Sequence, residues 1–209
     1  MSDNWSASDV AGVLGKIAEG AIPHADRLRE LDAKIGDGDL GVTITKGLTA
    51  VKESLESLSG EDVGTIIAKS GVAFNKAAAS TFGAIFATAL MRAGKAVQGQ
   101  DNITLADLPE MGRVAIEGIK ERGKADVGDK TVLDALVPLV DALEESITQG
   151  ASADNALSAA LDACRQGVDE TIPMRSQVSR ASWVGERSIG VADPGATALL
   201  VMFESAIAD

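Results

Sequence analysis

Apolar side chains recur along this chain at intervals of three and four residues, the spacing of one face of an α-helix. The first such segment contains Val10, Val13 and Ile17, and Ser8 is predicted to cap it. The pattern returns at Leu28, beyond a proline. Further helices are predicted at 44–58, 62–77, 84–96, 107–119, 131–143, 152–164 and from 193 towards the C-terminus.

No segment alternates convincingly between apolar and polar residues, as a half-buried strand would. The pattern therefore predicts an all-α protein of about eight helices, forming one domain over residues 1–209. The segment 84–96 is apolar nearly all round, which is typical of a central, buried helix. Residues 101–105 are predicted to form a turn.

Composition then excludes several classes of function. The 209 residues include 31 acidic and 19 basic side chains, a formal net charge of −12. Such a chain is a poor partner for nucleic acid or an anionic membrane. The single cysteine, Cys164, forms neither an internal disulfide nor a thiolate zinc site. The N-terminus lacks a signal-peptide pattern and no apolar run approaches a membrane span of ~20 residues, so a soluble, cytoplasmic protein is expected.

Three aspartates crowd into the connection before the segment 44–58. Asp32, Asp37 and Asp39 lie close together, with glycines between and beside them. Like charges at this spacing repel each other, which is unfavourable unless a cation binds there. The set suits Mg²⁺, whereas its spacing does not match the EF-hand loop that binds Ca²⁺. On the residues alone, a solvated turn is the competing interpretation.

Two further connections contain groups suited to phosphate. Residues 125–131 place a glycine, Lys130 and Thr131 just before a predicted helix, where free backbone N–H groups attract anions. Residues 77–83 likewise bring Ser80 and Thr81 to the start of the apolar helix. An ordinary helix cap is the competing interpretation for both connections.

The longest connection covers residues 179–195 and contains two arginines, Trp183 and three glycines. Asp193 is predicted to cap the last helix, with Pro194 in its first turn. Long structured connections are often functional. A packed surface loop with Trp183 in the core is the alternative.

Common catalytic motifs are absent from the sequence. There is no GxxxxGK[ST] phosphate loop, no protein-kinase signature, and no Cys/His or Ser/His motif. The single histidine, His24, is expected to be a surface or packed residue. Any binding of phosphate is therefore expected to use helix N-termini and magnesium.

Taken together, these connections resemble the nucleotide-binding L subunit of dihydroxyacetone kinase and the equivalent C-terminal domain of single-chain dihydroxyacetone kinases. The family stretch L-D-x-x-I-G-D-G-D-H-G corresponds to residues 31–41. Its G-D-K-T-M-L-D-A-L corresponds to residues 128–136, and its G-R-A-S-Y-L-G-E-R-S-I-G-x-x-D-P-G-A to residues 179–196. The matches occur in order along nearly the whole chain, and the chain is identified as a member of this family.

The resemblance implies a barrel of eight antiparallel helices that binds ATP or ADP in the loops at one end. It implies that Asp32, Asp37 and Asp39 bind two Mg²⁺ ions, which bridge the nucleotide phosphates. The other implied nucleotide contacts are Leu40, Gly41, Val42, Thr43, Ser80, Thr81, Gly123, Val132, Arg180, Asp193, Pro194 and Gly195. The loop from Gly123 to Val132 is implied to cap the adenine.

The resemblance also implies that a separate K-type subunit holds the small ketone or ketose substrate. This chain would present the phosphoryl group, while magnesium neutralises the charge that develops during transfer. Two modes are open: ATP exchanges freely, or ADP stays bound and is rephosphorylated by a phosphohistidine carrier protein.

The sequence departs from the family pattern in three places. Leu40 stands where the family has histidine, residues 77–81 replace a Gly-Gly-Ser-Ser-Gly phosphate loop, and residues 176–180 lack two of the family's cations. A non-catalytic nucleotide-sensing or regulatory module of the same fold is therefore the alternative to a kinase subunit.

Overall fold

The computed structural model of the chain describes residues 3–178 and 185–208. Within these ranges there are nine α-helices and several short turns of 3-10 helix, including those at Ile22–His24, Glu56–Leu58 and Leu105–Asp107. The α-helices are α1 (Ala7–Ala21), α2 (Ala25–Ile35), α3 (Leu40–Leu55), α4 (Val63–Ala77), α5 (Thr81–Ala96), α6 (Leu108–Gly123), α7 (Leu133–Thr148), α8 (Ala153–Glu170) and α9 (Pro194–Ile207). The prediction of an all-α fold is confirmed.

Eight of the nine described helices form a closed ring. Helix α1 packs against α3, each helix from α3 onward packs against the next in the chain, and α9 returns to α1. The short helix α2 packs against α3 and α9. This closed arrangement confirms the predicted barrel of about eight helices.

Small residues let the helices of the ring approach closely. Gly64 on α4 and Gly94 on α5 face each other, and a Cβ atom on either would clash with the backbone of the other helix. Gly47 on α3 leaves room for the fully buried ring of Phe74 on α4. Close packing of this kind explains why a chain with few aromatic residues still fills its core.

The first helix begins earlier than predicted, because Ser6 caps it instead of Ser8. The Ser6 hydroxyl accepts a hydrogen bond from the Asp9 N–H at 3.2 Å, and the Asp9 carboxylate accepts one from the Ser6 N–H at 2.8 Å. This reciprocal pair is a capping box. Ser8 lies inside the helix.

Residues 101–105 also differ from the prediction of a turn. Residues 102–104 form strand β2, which pairs antiparallel with strand β1 (Asn4–Ser6). Three residues are too few to show the alternation that identifies a strand in a sequence. This short ribbon holds the N-terminus against the connection between α5 and α6.

The prediction of a central, buried helix at 84–96 is wrong. The segment belongs to α5, which packs between α4 and α6. Within α5, only Gly83, Ala87 and Gly94 are buried, and Met91 is exposed. None of the described helices has the length and apolar character needed to cross a bilayer.

Candidate functional site

A cleft of about 1070 Å³ lies where the N-termini of α3, α5 and α9 come together. Backbone N–H groups at a helix N-terminus carry partial positive charge, so converging N-termini favour an anion. The cleft brings together these residues singled out from the sequence: Asp32, Asp37, Asp39, Leu40, Ser80, Thr81, Gly123, Val132, Asp193, Pro194 and Gly195.

The three aspartates of the first connection form a cluster at this cleft. Asp32 lies in the last turn of α2, and Asp37 and Asp39 follow in the connection to α3. One carboxylate oxygen from each lies within 4.8 Å of the others. The left-handed backbone at Gly38, with φ of 74°, helps the chain turn between the carboxylates. The cluster fits a hard divalent cation such as Mg²⁺, which prefers several carboxylate oxygens.

The electrostatics of this aspartate cluster point the same way. Burial, and then the neighbouring negative charge of Asp32, raise the pKa of Asp39. A raised pKa means that the ionised form is disfavoured in the protein without a cation. A bound divalent cation would reverse this preference.

The first turn of α3 follows the cluster directly. Leu40 is buried, and its N–H donates a hydrogen bond to Asp32 Oδ2 at 3.2 Å. Gly41 packs so closely against α2 that a Cβ there would clash with the Ala25 carbonyl oxygen. Val42 is 48% exposed. Leu40 lines the cleft, whereas the described residues 41–43 are not part of its lining.

Thr43 and Ser80 join the N-termini of α3 and α5. Ser80 caps α5, because its Oγ accepts a hydrogen bond from the Gly83 N–H at 3.0 Å. The same Oγ accepts a hydrogen bond from the buried Thr43 hydroxyl at 3.1 Å. Ser80 is therefore a cap that also borders the cleft, beside Thr81.

The loop between α6 and α7 forms another wall, which includes Gly123 and Val132. Asp134 organises this loop: its Oδ1 accepts a hydrogen bond from the Gly128 N–H at 2.6 Å, and its Oδ2 accepts one from the Thr131 N–H at 2.7 Å. Helix α7 consequently begins at Leu133, two residues later than predicted. The sequence analysis did not single out Asp134, which is 3% exposed.

Lys130 in the same loop is held by backbone carbonyls. It has left-handed backbone, with φ of 61°, and is 2% exposed. Its Nζ donates hydrogen bonds to the carbonyl oxygens of Met174 at 2.9 Å and Ser188 at 2.5 Å. Burial lowers the pKa of Lys130. The sequence analysis considered Lys130, just before a helix, as a group suited to phosphate. In the structure its ammonium group binds these two carbonyl oxygens.

Asp193 caps α9, as predicted from the Asp-Pro pair. Its Oδ2 accepts a hydrogen bond from the Ala196 N–H at 2.7 Å, and its own N–H donates to Thr171 Oγ1 at 2.8 Å. Burial, together with the nearby charge of Asp134, raises the pKa of Asp193 to about 7. Pro194 and Gly195 border the cleft beside it.

Two residues of the longest connection, Arg180 and Trp183, lie outside the described residues. Two cations at the end of α6, Arg122 and Lys124, line the cleft and were missed by the sequence analysis. No local pattern singles out Arg122 and Lys124, because arginine and lysine are common near the C-terminus of any helix. The fold and cleft together define a helical barrel with a cleft whose lining suits an anion and a divalent cation.

Comparisons with known proteins place the chain in one family. Residues 34–208 match the DAK2 domain model. The ADP-binding subunit DhaL of the PEP-dependent dihydroxyacetone kinase of Escherichia coli is 37% identical over 181 residues, which cover 87% of this chain and 86% of that protein. The corresponding subunit of dihydroxyacetone kinase 2 from Listeria innocua is 34% identical over 81% of this chain and 79% of its own length. The chain belongs to the DAK2 domain family.

A solved structure shares this fold. The dihydroxyacetone kinase from C. freundii in complex with AMP-PNP and Mg²⁺ superimposes with a TM-score of 0.70 and 25% sequence identity. The match covers 94% of this chain and 33% of that chain. This protein therefore spans about a third of the length of the solved kinase chain.

Proposed function

We propose that this chain is the nucleotide-binding subunit of a dihydroxyacetone-type kinase. It binds ADP or ATP with Mg²⁺ and presents a phosphoryl group to a small ketone or ketose held by a separate K-type subunit. The observation that carries the proposal is the meeting of the aspartate cluster with the N-termini of α3, α5 and α9 in one cleft. The names of the E. coli and Listeria relatives support it.

In this proposal Asp32, Asp37 and Asp39 are the Mg²⁺ ligands. Bound there, Mg²⁺ would offset the negative charge of the nucleotide phosphates and of the phosphoryl group during transfer. The Leu40 N–H helps to orient the Asp32 carboxylate, which it contacts at 3.2 Å. The chain thereby holds the ligand set in place before the nucleotide arrives.

The nucleotide phosphates would bind the backbone N–H groups at the three helix N-termini. Ser80, Thr81 and the Asp193–Gly195 turn border the space in front of these groups. The Thr43–Ser80 hydrogen bond fixes the start of α5 against α3. Arg180 and the residues 41–43 stay predicted nucleotide contacts.

The adenine would occupy the other side of the cleft. Apolar side chains of Ile85 and Ile119, which belong to the same core cluster as Val132, line the cleft on the side of Gly123. Such a wall favours a flat, weakly polar ring over water. The loop from Gly123 to Val132 is accordingly proposed to cover the base.

The replacement of the family's histidine by leucine is compatible with this function. Leu40 is 4% exposed and packs in the core with Leu28 and Ile44. Its backbone N–H still contacts Asp32. The aspartate cluster is therefore intact beside the substitution, which favours a working site over a decayed one.

Of the two phosphoryl-transfer modes, we favour ADP that stays bound and is rephosphorylated by a phosphohistidine carrier protein. Both relatives described above are named as ADP-binding subunits of PEP-dependent kinases. The chain covers 86% of the E. coli subunit, which is itself one subunit of a larger kinase.

A reconstitution experiment tests the proposed function. The chain is mixed with a purified K-type subunit and dihydroxyacetone, and supplied either with ATP or with ADP, phosphoenolpyruvate and the phosphocarrier proteins. We expect dihydroxyacetone phosphate to form in the second mixture and to require this chain. Product formation that is equal without the chain would contradict a kinase subunit. Binding of MgADP without any phosphoryl transfer would favour the nucleotide-sensing module.

A further inference from the structure

The Lys130 side chain joins two parts of the chain that are distant in sequence. Its ammonium group contacts the carbonyl oxygens of Met174, after α8, and Ser188, before α9. One side chain of the loop 123–132 thus holds both ends of the connection between α8 and α9. Each acceptor carbonyl satisfies one N–H of a buried ammonium group, which compensates part of its lost hydration.

Further hydrogen bonds reinforce this junction. Ser188 Oγ accepts a hydrogen bond from the Ser176 N–H at 3.0 Å and donates one to the Gly185 carbonyl at 2.7 Å. The Asp129 carbonyl accepts one from the Gln177 N–H at 3.1 Å. The loop 123–132 and the two ends of the connection therefore form one hydrogen-bonded unit around Lys130.

The unit forms parts of two walls of the cleft. Gln177 and Val178 line the cleft from one part of the unit, and Lys130, Thr131 and Val132 line it from the other. The buried Asp193, which caps α9, is close enough for its charge to interact with Lys130. Displacement of the ammonium group would therefore shift both walls.

The conformation of Lys130 is unfavourable unless something compensates for it. A left-handed backbone is uncommon for a residue with a Cβ atom and costs free energy. Burial of an ammonium group costs more still, even when carbonyl oxygens surround it. A methionine or leucine would fill the same space without the charge, so stability by itself does not explain a lysine here.

We propose that Lys130 is a positioning residue for the nucleotide. Its ammonium group holds the chain at Met174 and Ser188 against the loop 123–132 and so fixes two cleft walls relative to each other. This inference rests on the proposed function of the cleft. Lys130 acts through the backbone it holds, and the aspartate cluster lies on other elements, α2 and the α2–α3 connection. Loss of the two hydrogen bonds from the Lys130 ammonium group should therefore weaken nucleotide binding and leave metal binding unchanged.

The test compares Lys130→Met with Lys95→Met, which makes the same charge change at an exposed position near the end of α5. Each protein is titrated with MgADP by calorimetry and with Mn²⁺ alone by electron paramagnetic resonance. For Lys130→Met we expect MgADP affinity to fall at least tenfold while Mn²⁺ affinity stays within twofold of the wild type. Lys95→Met should match the wild type in both titrations.

Three results would overturn the inference. They are unchanged MgADP affinity in Lys130→Met, an equal fall in both affinities, and an equal loss of MgADP affinity in Lys95→Met.

If Lys130→Met does not fold, Ser188→Ala decides, because it removes two hydrogen bonds of the same unit without leaving charged groups unpaired. There we expect a severalfold loss of MgADP affinity at constant Mn²⁺ affinity, and wild-type MgADP affinity would overturn the inference. A wild-type protein that does not bind MgADP would refute the proposed function first, and this inference with it.

Discussion

The connection between α2 and α3 with the last turn of α2, and the loop between α6 and α7 with the first turn of α7, each contain three aspartates. In the first, Asp32, Asp37 and Asp39 bring carboxylate oxygens within 4.8 Å of one another. Burial, and then the negative charge of Asp32, raise the pKa of Asp39. This region is arranged to bind a cation, and the crowded carboxylates lower the stability of the protein when no cation is bound.

In the loop between α6 and α7, by contrast, the carboxylates bind the chain itself. Asp126 Oδ1 accepts a hydrogen bond from the Val127 N–H at 2.8 Å, and Asp129 Oδ2 accepts one from the Asp126 N–H at 2.8 Å. Asp134 accepts two backbone N–H groups, at 2.6 and 2.7 Å. These aspartates stabilise a loop and need no cation.

The difference shows that the number of nearby aspartates does not define a metal site. What distinguishes the first region is that carboxylate oxygens of all three aspartates converge within 4.8 Å of one another, in addition to the hydrogen bond that Asp32 accepts from the Leu40 N–H. Substitutions in the two regions should therefore have opposite effects: loss of ligand binding in the first, and loss of stability in the second.

The largest expected effect is that of Asp39→Asn on ligand binding. The variant removes one charge from the cluster, and we expect MgADP affinity to fall about a hundredfold or more, as measured by calorimetry. Asp39 makes no side-chain cap to α3, so asparagine loses no helix-capping bond. The melting temperature without metal should stay level or rise, because repulsion with Asp32 is relieved. Wild-type MgADP affinity, or a clear fall in melting temperature, would contradict the proposed difference between the aspartate cluster and the loop between α6 and α7.

Asp134→Ala should instead destabilise the fold. The substitution leaves two backbone N–H groups without their acceptor at a position that is 3% exposed. We expect the free energy of unfolding in urea to fall by about 2–4 kcal/mol. Asp134→Asn, which keeps one acceptor oxygen, is the matched control and should lose less. Equal stability of the alanine variant and the wild type would show that the loop does not depend on this carboxylate.

The buried Asp193 predicts a pH dependence. Its pKa of about 7 lies above the ordinary 3.8, so the folded protein retains a proton that the unfolded chain releases. The free energy of unfolding should therefore fall as pH rises from about 4 to about 7, by up to about 1.4 kcal/mol for each pKa unit. Asp193→Asn keeps an oxygen for the Ala196 N–H and has no such proton.

The measurement for Asp193 is urea unfolding of both proteins between about pH 4 and about pH 8. The stability of Asp193→Asn relative to the wild type should increase through this interval and level off near its upper end. A difference that is constant across the interval would show that Asp193 has the same pKa in the folded and unfolded states.

The smallest expected effect is that of Asp126→Ala, at the exposed end of the same loop. Its carboxylate is 69% exposed and pairs with Lys120 Nζ at 2.9 Å. Surface ion pairs of this kind contribute little to stability. The melting temperature should change by no more than about one or two degrees. A loss comparable to that of Asp134→Ala would show that the whole loop depends on each of its aspartates.

Local chemistry explains which features could be predicted from the sequence. The cap at Asp193 is a short-range pattern, predicted from the Asp-Pro pair, and the structure has it. The crowding of Asp32, Asp37 and Asp39 is also short-range, because glycines hold them within one turn of chain. The helical periodicity predicts the helices, whereas their arrangement in a barrel was expected only from the resemblance to the family.

The features that escaped prediction depend on contacts between distant parts of the chain. Lys130 binds the carbonyl oxygens of Met174 and Ser188, which follow α7 and α8 in the sequence, and no local pattern indicates these contacts. The pairing of β1 with β2 joins the N-terminus to residues 102–104. The role of Asp134 depends on a loop conformation with left-handed residues at Gly128 and Lys130.

We propose that the aspartate cluster and the helix N-termini form one site, in which Mg²⁺ and ADP bind interdependently. The direct measurement is a calorimetric titration of the wild-type protein with ADP, once in excess Mg²⁺ and once in EDTA. We predict at least a hundredfold tighter binding with Mg²⁺ and, by linkage, an equal effect of ADP on Mg²⁺ affinity. ADP affinity that is the same in both titrations, or no ADP binding in either, would contradict the claim.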